Sequence, residues 1–206
     1  MVTEPRRLNR AVAAFLAAAL LAVPGAPRSG AADIAGSVPA PDIAAPFVDE
    51  EVRELLDELA DPEQERWQRV ERRILRIWSQ SGSASADLLL QRGRESLRTG
   101  DPRTAIEHLT ALVDHAPGFA EGYHARATAF FMADQYGPAV ADIEETLRLN
   151  PLHFGALSGL GVILEELEMK AEALEAFRAA HAIHPHRPDV KRAIDRLELA
   201  LEGRPL

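Results

Sequence analysis

The 206 residues are 47% hydrophobic but only 5% aromatic, and 32 acidic against 23 basic residues leave a formal net charge of −9. A nucleic-acid binder needs the opposite balance, because phosphate contacts carry most of its affinity, and an anionic membrane surface disfavours this chain for the same reason. Cysteine is absent, which excludes a disulfide framework and thiolate chemistry.

At the N-terminus, Arg6, Arg7 and Arg10 precede an uncharged stretch from Ala11 to Val23. Pro24 and Gly25 break it, and Ser29-Gly30-Ala31 supplies small residues for cleavage. The layout predicts a secretory signal peptide over residues 1–32, its apolar run being shorter than the roughly 20 residues of a spanning helix. Its removal takes away four arginines and one glutamate, so 23 basic residues become 19 and 32 acidic ones 31. The expectation is a periplasmic chain with no membrane insertion after cleavage. An uncleaved N-terminal anchor is the alternative. Residues 33–47 hold Pro39, Pro41 and Pro46 among small residues and read as a disordered linker.

A helical hairpin is predicted over 48–80. Val52, Leu55, Leu56 and Leu59 share one helix face. Asp61, Pro62 and Gln64 have the pattern of an N-cap, a first helical position and a capping box for the second helix. Trp67, Val70, Ile74 and Trp78 then form one stripe opposite Arg69, Arg72, Arg73 and Arg76. The two tryptophans are expected to seal the end of the domain.

From Ala86 the chain repeats itself. Pro117, Pro151 and Pro185 recur at one constant interval, which divides the segment into units 86–119, 120–153 and 154–187. That interval matches the period of about 34 residues at which helix–turn–helix units stack in a row. In register fall the small residues Gly93, Ala127 and Gly161, the alanines Ala105, Ala139 and Ala173, and the large residues Leu109, Ile143 and Phe177. The small residues predict close helix approach, and the large ones are expected to fill the gap between neighbouring units. Gly100 suits a left-handed helix cap, with Asp101-Pro102 starting the next helix. A last helix over 188–202 carries Val190, Ala193, Ile194, Leu197 and Leu201 on one face and charges on the other, as a capping helix must.

On these residues the segment from Ala86 to Arg187 resembles the tetratricopeptide repeat family, and the whole resembles small exported proteins of that kind from Gram-negative bacteria. It departs from the family where tryptophan is usual, at Leu89, Tyr123 and Leu157, and where leucine is usual, at Arg92 and Arg126. The resemblance implies an all-α, right-handed helical-repeat superhelix with the hairpin before it and the capping helix behind. It also implies that the first helices of successive units line a concave groove for a protein or peptide ligand. The groove residues it implies are Leu90, Arg94 and Arg98 in the first unit. The second gives Glu121, His124, Thr128, Phe131 and Met132, and the third Ser158, Val162 and Glu165. The family's clamp for a C-terminal carboxylate is not expected, since Leu90 stands where its first lysine belongs and Arg94 where an asparagine belongs. Arg94 and Arg98 remain candidates to pair with an acidic group.

Three histidines, His181, His184 and His186, cluster near the end of the third unit and are weak metal candidates, because Pro185 interrupts the helix between the last two. No cofactor is expected. Glu144-Glu145 and Glu165-Glu166 lack the cleft pairing that acid–base catalysis requires, and no nucleophile or phosphate motif is present. The leading expectation is therefore a non-catalytic periplasmic adaptor. Alternatives are a membrane-tethered assembly factor for envelope or cytochrome biogenesis and a histidine-based metal-handling module.

Overall fold

The computed structural model describes residues 50–203; the expected signal peptide and linker lie outside them. The described residues form helices and turns without strands: α1 Glu50–Ala60, α2 Trp67–Trp78, α3 Ala84–Arg98, α4 Pro102–His115, α5 Ala120–Met132, α6 Tyr136–Leu149, α7 Phe154–Glu166, α8 Lys170–Ile183 and α9 Pro188–Glu202. Helices α3 to α8 pack as three consecutive pairs, each against the next, and α9 covers α8. The fold is an all-α helical-repeat solenoid. No described helix is long and apolar enough to cross a membrane.

Local chemistry sets the helix boundaries. The Ser83 side chain accepts from Ala86 N–H at the start of α3, and Asp101 accepts from Thr104 N–H beside Pro102 at the start of α4. Each such cap is worth about 1 kcal/mol. Gly100 turns the chain with φ +77°, and at the equivalent place in the next two units Asp134 and Glu168 adopt the same left-handed backbone at φ 58° and 61°. The repeat thus imposes one turn geometry on three residues, of which glycine suits it best and glutamate least.

Within the first and third units the small residue lies directly under the large one. A Cβ on Gly93 would stand 2.5 Å from Leu109 Cγ, and one on Gly161 would stand 2.8 Å from the Phe177 ring. The large residues thus fill the space over the small residue of their own unit, and Leu109 also shares a core with Ala125 and Ala129 of the next. Ile143 likewise reaches across, to within 3.7 Å of a Cβ built on Gly159 of the next unit.

The hairpin departs furthest from expectation. Asp61 does not cap α2: its carboxylate accepts from Glu63 N–H in a turn, and the helix starts later, with Arg66 in the cap position. Gln64 serves the same turn, accepting from Arg66 N–H and donating to Glu58. Nor do the tryptophans seal an end. Trp78 stacks on His153 at 4.7 Å and leans on Phe154, while Trp67 stacks on His186 at 5.6 Å and meets His184 edge-on. His186 Nε2–H donates to the Asp61 carbonyl across 2.9 Å. Val52, Leu55, Leu56, Leu59, Val70 and Ile74 accordingly share a core with Leu152, Phe154 and Ile183. The hairpin lies across the edge where one unit turns into the next.

Candidate functional site

Side chains of α5, α7 and α9 enclose an open cleft of about 530 Å³. Phe131, Ile143, Val162, Ile163, Phe177 and Val190 supply its apolar surface, while Ala127, Gly155, Gly159 and Ala193 leave room above the helix backbones. Val162 is 40% exposed, an open aliphatic side chain on a folded domain. Phe131 is half-buried against Tyr136, with ring centroids 5.9 Å apart.

The rim is charged. Arg196 makes a two-pronged contact with Glu165 at 2.8 Å, and Arg187 pairs with Asp189. The Asp189 carboxyl is held below its usual range, first by the hydrogen bond from Arg187. Arg192 is exposed at the same rim and makes no ion pair among the described residues. After the internal pairs are taken, this guanidinium is the cation left for a ligand.

Of the residues expected in the groove, His124, Thr128, Phe131, Ser158, Val162 and Glu165 line this cleft. Others are elsewhere. Leu90 is 2% exposed and belongs to the core between α3, α4 and α5, because its helix turns an apolar face inward there. Arg94 donates to Glu121 and to Ser79 Oγ, and Arg98 is held by Glu95 one turn back in α3 at 2.8 Å. Neither joins the cleft lining. Ser158 lines the wall but is 7% exposed, its hydroxyl donating to the Phe154 carbonyl, so it offers bulk rather than a free donor. Met132 is exposed outside the cleft lining.

The cleft is therefore displaced by one unit toward the C-terminus. Sequence reasoning misses the α9 residues Asp189, Arg192 and Arg196, although the signal is present: they stand one full repeat beyond Gly155, Ser158 and Val162. The capping helix repeats the register of a first helix and contributes the same wall.

Beside the cleft, behind His124, lies a buried polar cluster. Glu121, expected in the groove, is 6% exposed and is enclosed where α5 meets the turn before α7. One carboxylate oxygen accepts from Arg94, and the other accepts from His153 Nε2–H at 2.9 Å. His153 Nδ1 accepts in turn from Ala156 N–H at 3.0 Å, which caps α7 and fixes the ring's tautomer. The His124 ring lies 4.5 Å from that of His153, and its buried Nδ1 has no hydrogen-bond partner among the described residues. Burial and the adjoining His153 push the His124 pKa down to about 4, against the pull of Glu121. Burial works to raise the Glu121 carboxyl, but the His153 bond and the nearby His124, His153 and Arg94 charges outweigh it and hold it low.

The C-terminal histidines do not converge in this way. His184 is 1% exposed beneath Trp67 and Phe154, His186 is bound to Asp61, and His181 Nδ1 is buried without a partner among the described residues. The rings of His184 and His186 serve to dock the hairpin.

Comparison with known proteins follows the same geometry. A tetratricopeptide repeat family model matches residues 124–188. A TPR repeat-containing protein of Rhizobium etli is 31% identical over 126 residues, which are 61% of this chain and 62% of that protein. The SGT1 homolog of Bos taurus is 31% identical over 120 residues, 58% of this chain but only 36% of its own length. The chain thus spans less than two thirds of either relative. Among solved structures, the first TPR of Spaghetti (RPAP3), bound to the HSP90 peptide SRMEEVD, superposes with a TM-score of 0.57 at 22% identity. It covers 59% of this chain and 96% of its own. MamA gives 0.54 at 22% identity, over 68% of this chain and 84% of its own. At these identities the structures speak for the fold.

Proposed function

We propose that this chain, which a tetratricopeptide repeat family model matches over residues 124–188, is a non-catalytic adaptor holding a partner peptide or protein in the cleft between α5, α7 and α9. The observation that carries the proposal is a standing apolar surface, with Val162 40% exposed, beside the unpaired Arg192. Such a site suits a segment with a large apolar side chain that enters over Gly155 and Gly159 and an acidic group that reaches Arg192. Several proteins of similar fold are described with bound HSP peptides, which supports a peptide ligand as the general mode. The arginines of the first unit contribute little, since Arg94 and Arg98 already have carboxylate partners.

The test is crosslinking and pull-down from the cell that makes the protein, comparing the native chain with Val162→Glu and Arg192→Ala. Both variants should lose one defined partner while melting as the native protein does. Equal recovery by all three would remove the cleft from the function.

The adaptor is further proposed to work after export to the periplasm. This rests on the Arg6-Arg7-Arg10 run, the apolar stretch to Val23 and the small residues after Pro24. Sequencing the N-terminus of the mature protein tests cleavage: a start near Asp33 supports export with cleavage, and an intact Met1 favours the uncleaved N-terminal anchor instead.

A further inference from the structure

We infer that Glu121, His124 and His153 form a binding site for a divalent transition-metal ion, with zinc the best fit. One donor atom from each lies within 4.8 Å of the other two, and the set combines two imidazoles with a carboxylate. Imidazole donors disfavour magnesium and calcium, whereas two histidines and a glutamate are a known donor set for zinc with an open fourth position. The 2.9 Å between His153 Nε2 and Glu121 need widen only to about 3.3 Å for both to reach a tetrahedral zinc.

Four features separate this cluster from an ordinary buried ion pair. Arg94 and His153 already satisfy Glu121, so His124 is not needed to neutralise it. Yet His124 is packed against His153 with a buried ring nitrogen that nothing among the described residues satisfies, a costly arrangement without a ligand. Arg94, bound to the outer carboxylate oxygen, is placed as a second layer that orients Glu121. The donors also come from separate elements: α5 supplies Glu121 and His124, and the turn before α7 supplies His153. A bound ion therefore ties the first helix of the second unit to the turn that leads into the third.

Loading has a defined proton balance. As the ion binds, His153 Nε2 releases its proton to water and Nδ1 takes one up from water, so the ring stays neutral. That nitrogen then ceases to accept from Ala156 N–H, so filling the site loosens the cap of α7 at one amide. No net proton leaves the ring, and no redox step is involved.

The experiment titrates the full chain with zinc chloride at about pH 7.5 by calorimetry, alongside His124→Ala, Glu121→Gln and His184→Ala, with melting curves for each. His124→Ala leaves the Arg94–Glu121–His153 chain in place, so it reports on binding even where Glu121→Gln folds poorly. The expected result is one zinc per chain and a raised melting temperature. His124→Ala should weaken binding by at least about tenfold, the smallest loss that even outer-layer substitutions cause. His184→Ala should bind as the native chain does. The absence of saturable binding, unchanged binding in His124→Ala, or loss of binding in His184→Ala would each overturn the assignment.

Discussion

The two sides of this repeat stack are built from the same register yet are covered differently. Along the cleft, positions one repeat apart run from buried Leu90 through His124 and Ser158 to exposed Arg192. Along the turn edge, the positions after the second and third prolines meet the N-terminal hairpin, where Trp78 and Trp67 lie on His153 and His186. One side is left open to a partner and the other is closed by the chain itself. A repeat fixes which residues are equivalent, while the segments at its ends fix which equivalents are free.

The sharpest way to break this comparison is to truncate two register-mates. Leu90→Ala should cost about 2–5 kcal/mol of stability, because it empties a fully packed site. Arg192→Ala should change stability by less than about 0.5 kcal/mol while weakening partner binding. Urea denaturation of both variants checks the pair, and similar losses would refute a graded wall.

Next in size is the hairpin. Trp78→Ala removes the ring stacked on His153 and should cost about 2–4 kcal/mol, below the full value for an entirely buried tryptophan. Hydrogen exchange should speed first in α1 and α2 and leave α5 and α6 protected. Uniform loss of protection would mean that the hairpin is not a separable strap.

Acid should loosen the same edge. His184 is buried, and burial holds its pKa below the ordinary histidine value, with Glu71 pulling the other way. A depressed histidine pKa gives stability that is complete above the unfolded value, about 6.5, and is lost as pH falls below it. Denaturation midpoints should therefore drop between about pH 7.5 and 5, and His184→Phe, which keeps a ring beneath Trp67, should flatten part of that slope. An unchanged slope would clear His184 of the effect and leave His124 as its source.

The smallest effect is a gain. Glu168 holds φ 61° where the first unit has Gly100, so Glu168→Gly should stabilise by about 0.5–1 kcal/mol. Asp134→Gly should give less, since aspartate tolerates the left-handed region better than glutamate does. Thermal melts of the two variants decide the order.

The helical pairs, their constant pitch and the closeness that Gly93 and Gly161 allow were legible in the residues alone, because these depend on spacing along the chain and on the volume of one side chain against another. Half of the cleft was legible too, through Thr128, Phe131 and Val162. Folding in three dimensions was needed to commit Asp61 to a turn and to His186 rather than to α2, and to turn Leu90 inward. It also brought α9 in to complete the wall and made Glu121, His124 and His153 meet. Those outcomes depend on how the hairpin swings back over the turns and how successive units rotate against each other. Contacts between residues far apart in the chain set both, and periodicity carries no record of them.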